Sequence, residues 1–129
     1  MLTLNLKELE NRAEWEKAGV KVPGFDMAKM IEDTKENPVW LHFGSGNIFR
    51  GFIAKLQQQL LEKGETTQGI IAGETFDFDI INKIYAPHDN LSILVGLKPD
   101  GSMDKEIIAS IAEGVKADTS DPVQIARLK

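Results

Sequence analysis

An apolar block, a glycine-spaced turn and the start of an amphipathic helix follow one another in VWLHFGSGNIFRGF, residues 39–52. Residues 39–43 are short, largely apolar and flanked by Pro38 and Gly44, which predicts a strand buried on both faces. Residues 47–63 carry apolar side chains at helical spacing. A strand that turns directly into a helix points backbone N–H groups and the positive end of the helix dipole at whatever lies above the turn. The segment therefore predicts an anion site, and a phosphate fits it.

The glycines suggest which kind of phosphate. Gly44 can supply the torsions of a tight turn, and Gly46, which has no side chain, would let the pyrophosphate of a dinucleotide approach the backbone. Phe49 stands where the usual fingerprint has its third glycine, although Gly51 could still allow close packing of helix on strand. Arg50 would add positive charge beside the phosphates. The sequence contains neither Gly-Lys-Ser nor Gly-Lys-Thr, which disfavours ATP hydrolysis.

An alternative is that Gly44 and Gly46 only turn the chain between two packed elements. A dinucleotide fold also needs an acidic residue near the end of its second strand, where it accepts hydrogen bonds from the adenosine ribose. After the apolar stretch at 69–73, Glu74 is the acid closest to the strand end, and Asp77 and Asp79 follow. For Glu74 a capping or solvated carboxylate is the competing interpretation, and for Asp77 and Asp79 it is the favoured one. Asp77 and Asp79 lie two residues apart and could also suggest a metal site, but no histidine beside them completes a ligand set, so we do not expect one.

Composition limits the classes of partner. At 129 residues, with 42% hydrophobic and 27% charged residues, the chain resembles an ordinary single globular domain. Its formal charge of -5 means that nucleic-acid binding would need a local basic patch, and none is visible. There is no cysteine, which fits a reducing compartment. The N-terminal segment does not resemble a signal peptide and the longest apolar run is strand-sized, so we expect a cytoplasmic protein with no membrane partner.

The chain divides into two predicted parts, an N-terminal helical extension at 1–37 and a partial dinucleotide-binding domain at 38–129. In the extension, Asn5 can cap a first helix that runs to Gly19, and Asp26 can cap a second helix. The elements expected after the first strand and helix are a buried strand at 69–73, a short helix at 77–84, a strand at 91–97 that turns at 98–102 into a second strand KEIIASIA, and a last helix that begins at Asp121-Pro122.

Two smaller patterns complete the prediction. The glutamines at 57–59 are expected to form a short polar face. His42 and His88 lie far apart with no triad spacing, so both are expected to be structural. The predicted fold class is α/β, with an incomplete Rossmann-like, NAD(P)-binding parallel sheet, an antiparallel hairpin and the helical extension.

The stretch FGSGNIFRGF, residues 43–52, resembles the N-terminal signature of the polyol-specific long-chain dehydrogenases, the mannitol dehydrogenase family. PHDNLSILV at 87–95, followed by DGS and IIASIAE, is similar to the strand and hairpin that follow in that family. NRAEWEKAGVKVPGFD and GNIFRGFI are most similar to its D-mannonate oxidoreductase, or fructuronate reductase, branch. The resemblance covers essentially the whole chain.

This resemblance implies reversible hydride transfer between a nicotinamide cofactor and a keto or hydroxy group at C2 or C5 of a linear sugar acid or polyol. NAD is the expected cofactor, and NADP is left open. Carried over by position, the cofactor-binding residues would be Gly44, Ser45, Gly46, Asn47, Ile48 and Arg50 in the pyrophosphate loop, with Glu74 as the ribose contact.

Members of this family are several times longer, and their catalytic lysine, with asparagine and histidine partners, lies in a later helical domain. Lys55 and Lys63 fall on the polar side of the predicted helix, so no catalytic residue is assigned. The first interpretation is the N-terminal part of an enzyme that interconverts D-mannonate and D-fructuronate, or a related sugar acid or polyol. The alternative is a stand-alone dinucleotide-binding or interaction module without catalysis. In both, an incomplete sheet predicts an exposed edge and self-association.

Overall fold

A computed structural model describes residues 2–129. The helices are α1 Arg12–Lys17, α2 Met27–Glu36, α3 Ala54–Glu62 and α4 Pro122–Leu128. The strands are β1 Val20–Lys21, β2 Leu41–Phe43, β3 Ile70–Glu74, β4 Ser92–Leu97, β5 Met103–Ile108 and β6 Ile111–Lys116. Two π-helical segments, Phe49–Ile53 and Ile80–Tyr85, and two short 3₁₀ helices, Glu8–Glu10 and Ala86–His88, complete the description.

Strands β2, β3 and β6 form a parallel sheet in that spatial order. His42 is in register with Ala72, and Ala72 is in register with Gly114. Helix α3 belongs to the crossover between β2 and β3, as a parallel pair requires. Three parallel strands side by side in chain order correspond to one half of a doubly wound dinucleotide fold. The predicted fold class, an α/β chain with a partial Rossmann-like sheet, is confirmed.

A second sheet has the order β1-β5-β4. Strands β4 and β5 are antiparallel with Leu97 opposite Met103, which confirms the predicted hairpin. Strand β1 pairs in parallel with β5, so the segment before residue 38 is not purely helical. The division at residue 37 stays a prediction. One apolar cluster joins this segment to the hairpin: Leu9, Trp15, Val20, Val22, Leu91, Ile107 and Ala109.

Helices α2 and α4 begin directly after the side chains that were predicted to cap them. Asp26 accepts a hydrogen bond from the Lys29 amide at 3.1 Å, and Asp121 accepts one from the Val123 amide at 3.1 Å, so both predicted caps are confirmed. The Asn5 side chain accepts from the Glu8 amide at 2.8 Å. The single helix predicted to run from there to Gly19 is wrong, because the chain forms a 3₁₀ turn first and α1 begins only at Arg12.

The prediction of a strand at 39–43 buried on both faces is also wrong. Only Leu41–Phe43 is extended in the sheet, and the side chains of Leu41 and Phe43 are 39% and 58% exposed. Strand β2 is the edge of the parallel sheet and pairs only with β3 within the described residues, so its outer side and one face remain open. The apolar run gave the strand correctly but not its position in the sheet.

The buried face of the helix after the turn differs from the predicted one. Ile48 and Phe52, which belong to the apolar side chains at helical spacing in the predicted helix, are 80% and 62% exposed, whereas Phe49 and Ala54 are buried. The π-helical segment at Phe49–Ile53 holds more residues per turn than an α-helix, so the side chains from Phe52 onward do not keep the α-helical period; it does not account for the exposure of Ile48, which precedes it. A uniform helical period could not anticipate this change of period.

The prediction that KEIIASIA forms one strand is wrong. The segment is divided between the end of β5 and the start of β6, and β6 is the third strand of the parallel sheet. The extended chain breaks after Ile108, and the next strand begins at Ile111 in the other sheet. Gln58 holds this break: its side-chain amide donates to the Ile107 carbonyl at 2.8 Å and accepts from the Ala109 amide at 2.6 Å. Gln57 and Gln58 are buried, which contradicts the predicted polar face at 57–59.

Replacing Gln58 with leucine is expected to lower the free energy of unfolding by about 2–4 kcal/mol, because the Ile107 carbonyl and the Ala109 amide lose their buried partner. Urea unfolding followed by circular dichroism measures the loss. Gln59→Leu is the matched control, since its side chain is exposed and should change stability little. Equal effects of the two substitutions would show that Gln58 does not hold the break.

No helix within residues 2–129 combines the length and apolar character that a membrane span requires.

Candidate functional site

The glycine turn, defined as residues 44–47, connects β2 to the helix that begins at 47. Gly44 has a φ of +112°, a backbone conformation that residues other than glycine rarely adopt. Its amide donates to the Gly73 carbonyl at 2.7 Å. Gly44 is therefore required by the turn itself, as the sequence predicted.

Gly46 is different, because the fold does not require a glycine there. Its φ lies outside the left-handed region, and a Cβ built on it would meet no described heavy atom within 4 Å. The space around that Cβ position is thus open. The amides at the start of the helix, those of Asn47 and Ile48 among them, have no intrahelical acceptor, so they are available to an anion.

Arg50 holds its positive charge beside the turn. Its guanidinium donates to the Asn47 side-chain oxygen at 2.6 Å and, through Nε, to the Gly46 carbonyl at 3.4 Å. The same group lies 5.9 Å from the centre of the Tyr85 ring. A cleft of about 200 Å³ adjoins this arrangement, and it is lined by Asn47, Arg50, Gly51, Ser92, Ile93, Leu94 and Ile108.

Within the turn, Ser45 is fully buried and is hydrogen-bonded to Glu74. Its hydroxyl donates to Oε1 of Glu74 at 2.6 Å, and its amide donates to the same oxygen at 3.2 Å. From a second direction, the Tyr85 hydroxyl donates to the Ser45 carbonyl at 3.0 Å. Burial raises the pKa of Tyr85, so this hydroxyl stays protonated and able to donate.

Glu74 lies at the carboxyl end of β3, as predicted, but its carboxylate is turned into the protein and the residue is only 7% exposed. Oε2 accepts from the amides of Thr75, Phe76 and Asp77 at 3.1, 3.1 and 3.3 Å. Burial by itself would raise the pKa of Glu74, yet the hydrogen bonds from Ser45, Phe76 and Asp77 together hold it below its usual value.

The lowered pKa of Glu74 makes the stability of the folded chain depend on pH. The stability that ionised Glu74 contributes is fully present above the pKa that this group has in the unfolded chain, and it is lost as the pH falls through the lower folded value. Glu74 is thus ionised in the folded chain at neutral pH.

The predicted residues lie in the glycine turn or in the first helical turn after it, and Glu74 is hydrogen-bonded to the turn: Gly44, Ser45, Gly46, Asn47, Ile48, Arg50 and Glu74. What these residues bind stays a prediction, including the contact of Glu74 with ribose. Sequence reasoning missed Tyr85 and the bond between Ser45 and Glu74. No local signal points to either, because the partners are 40 and 29 residues apart.

The two histidines have packing or hydrogen-bonding partners. The ring of His42 stacks on Phe49 with centroids 4.6 Å apart, and Nδ1 of His88 lies 2.8 Å from the Leu4 carbonyl. Lys55 is paired with Glu106 at 3.5 Å. Among the residues that the structure describes, no group of three or more His, Asp or Glu side chains is placed to hold a metal ion.

Comparison with protein-family models gives no match for this chain. Among curated proteins, it is 51% identical over 121 residues to the D-mannonate oxidoreductase of Thermotoga maritima. The aligned region is 94% of this chain and 22% of that protein, so the chain spans about a fifth of the length of the relative.

A part of each of two solved structures has the same fold as this chain. Mannitol 2-dehydrogenase of Pseudomonas fluorescens, in a ternary complex with NAD and D-mannitol, matches 95% of this chain and 23% of its own, with a TM-score of 0.73 and 21% identity. D-sorbitol dehydrogenase in substrate-free form matches 86% of this chain and 22% of its own, with a TM-score of 0.68 and 23% identity. The resemblance to the mannitol dehydrogenase family is thereby confirmed, in sequence through a D-mannonate oxidoreductase and in fold through mannitol and sorbitol dehydrogenases.

Proposed function

We propose that this chain is the N-terminal nucleotide-binding part of an NAD(P)-dependent oxidoreductase that interconverts D-mannonate and D-fructuronate, or a related sugar acid or polyol. The observation that carries the proposal is the glycine turn, which joins a parallel strand to a helix and leaves open space above Gly46. Its support is the 51% identity to a D-mannonate oxidoreductase.

The proposed cofactor is NAD, with NADP as the alternative, and its pyrophosphate would lie above the turn. Backbone amides at the start of the helix would donate to the phosphate oxygens, and the helix dipole would favour their charge. Arg50, already held beside the turn by Asn47, would add a positive charge. Once bound, the nicotinamide supplies the hydride acceptor or donor, while these residues only bind and orient the cofactor.

The proposed substrate is a small sugar acid or polyol, and no residue of this chain is assigned to its chemistry. The histidines and Lys55 have the partners described above, and none of them is placed on the glycine turn. We propose a cytoplasmic location and no nucleic-acid or membrane partner, on the composition alone.

Gly46→Val is expected to weaken nucleotide binding at least about tenfold while leaving the fold intact, because the added side chain would occupy the space proposed for the phosphates. Isothermal titration with NADH, in the complete enzyme to which we assign this segment, measures the affinity. Thermal unfolding of the same variant measures the fold.

Gly24→Val is the matched control, since a Cβ at Gly24 also meets no described atom within 4 Å but lies far along the chain from the turn. It should leave both measurements unchanged. Equal NADH affinity in Gly46→Val and in the unmodified enzyme would rule out the assignment of the turn to phosphate.

A further inference from the structure

Both carboxylate oxygens of Glu74 accept hydrogen bonds from other groups of the protein. Oε1 accepts two hydrogen bonds from Ser45 in the glycine turn, and Oε2 accepts three from the amides that follow β3. An ionised carboxylate offers about four lone-pair sites, so five donors saturate it. Glu74 could accept a hydrogen bond from a ribose hydroxyl only by giving up one of these.

The bonds of Glu74 join two segments that the proposed function places around the cofactor. One is the glycine turn, and the other is the loop that begins at Thr75. Tyr85 adds a tie from a third element, because its hydroxyl donates to the Ser45 carbonyl at 3.0 Å. The Tyr85 ring is itself fixed, since it lies against Gly114 so closely that a Cβ there would come within 2.7 Å of it.

We propose that Glu74 is a positioning residue, which with Ser45 and Tyr85 fixes the glycine turn against the loop after β3, and that ribose is not its partner. Recognition of phosphate by backbone amides depends on the direction in which they point. A turn already held in shape loses less conformational entropy when the ligand binds. The inference rests on the proposed function only for the identity of what the turn binds. The hydrogen bonds among Glu74, Ser45 and Tyr85 are present without any ligand.

The positioning role of Glu74 can be tested without nucleotide, by amide hydrogen exchange of the 129-residue chain. Glu74→Gln is expected to lower the protection of the Ser45 amide or of the Phe76 and Asp77 amides, because glutamine keeps one accepting oxygen and places a donating NH2 group where the other oxygen was. Asp79→Asn is the matched control, an exposed carboxylate paired with Lys83, and should leave these amides unchanged. Unchanged protection at all three amides in Glu74→Gln would overturn the proposal.

Milder variants keep the test decisive if Glu74→Gln does not fold. Ser45→Ala removes the 2.6 Å bond to Glu74, and Tyr85→Phe removes the 3.0 Å bond to the Ser45 carbonyl. Each is expected to increase exchange at the Ser45 amide. If both variants left that exchange as it is in the unmodified chain, neither residue would position the turn.

Titration of the complete enzyme with NADH and NADPH separates positioning from ribose contact. A positioning role predicts that Glu74→Gln and Ser45→Ala lower both affinities by a similar factor, on the order of tenfold, with their ratio unchanged. A ribose contact predicts that Glu74→Gln alone changes the ratio, and this result would overturn the proposal. If the unmodified enzyme bound neither nucleotide, the proposed function would fail, while hydrogen exchange would still decide the role of Glu74.

Discussion

Gly69→Ala is expected to lower the free energy of unfolding by about 3 kcal/mol or more, or to abolish cooperative unfolding. A Cβ at this position would lie 2.2 Å from the Ser110 carbonyl oxygen and 2.6 Å from the Met30 sulfur. The methionine side chain could move, but the backbone oxygen cannot, because it accepts the Ile70 amide at 2.8 Å. The glycine is itself held by its amide, which donates to the buried Thr34 hydroxyl at 2.8 Å.

Thermal and urea unfolding of the purified variant measure this effect. Gly96→Ala serves as the control: an added Cβ there approaches Asp104 only at 3.9 Å, which is an ordinary contact. It should remain close to the unmodified chain in both transitions. A Gly69→Ala chain as stable as Gly96→Ala would mean that the junction between β6 and the start of β3 relaxes more easily than its hydrogen bonds suggest.

The parts of the fold that the sequence predicted are those decided by local physics. Asp26 and Asp121 cap helices because a carboxylate there meets free amides, whatever the rest of the chain does. Gly44 was assigned to a tight turn, and its positive φ agrees. Short patterns of apolar and turn residues likewise predicted the buried strand at 69–73 and the hairpin turn at 98–102.

The parts that could not be predicted depend on distant partners. Gln58 reads as a polar surface residue, and only the break between β5 and β6, some 50 residues later, makes its burial favourable. Val20 and Lys21 form a strand of two residues because β5 offers them an edge. Glu74 was correctly placed at the end of a strand, but its bond to Ser45 across 29 residues is a property of the tertiary structure.

Strand β2 connects the fold to the proposed function. In a doubly wound sheet of order 3-2-1-4-5-6, the second half of the sheet is added beside the first strand. Here the first parallel strand is β2, and within the described residues that side of it is open, with Leu41 and Phe43 partly exposed. In the proposed function, the strands that flank the nicotinamide half of the cofactor would lie beside this edge, and this chain would supply the phosphate half of the site.

The 129-residue chain, purified alone, is therefore expected to show no dehydrogenase activity and weak affinity for nucleotide at best. Hydride transfer needs an acid or base within hydrogen-bond reach of the substrate oxygen and a wall that holds the reacting carbon against the nicotinamide. Within residues 2–129, no lysine or histidine lies on the glycine turn to serve as that acid or base. The open edge and the exposed side chains of Leu41 and Phe43 also predict self-association of the chain.

Two measurements check this expectation. Oxidation of NADH or NADPH in the presence of fructuronate, tagaturonate or fructose should not exceed a protein-free blank, whereas the complete enzyme should reduce at least one of them. Turnover by the isolated chain would show that the catalytic groups lie within these 129 residues and would favour a self-sufficient enzyme. Light scattering should give a mass above that of the 14.3 kDa monomer, and Leu41→Lys with Phe43→Lys should reduce it, because charge on an edge strand opposes pairing between chains. A strictly monomeric chain would indicate that the β2 edge is protected in a way that its exposure does not reveal.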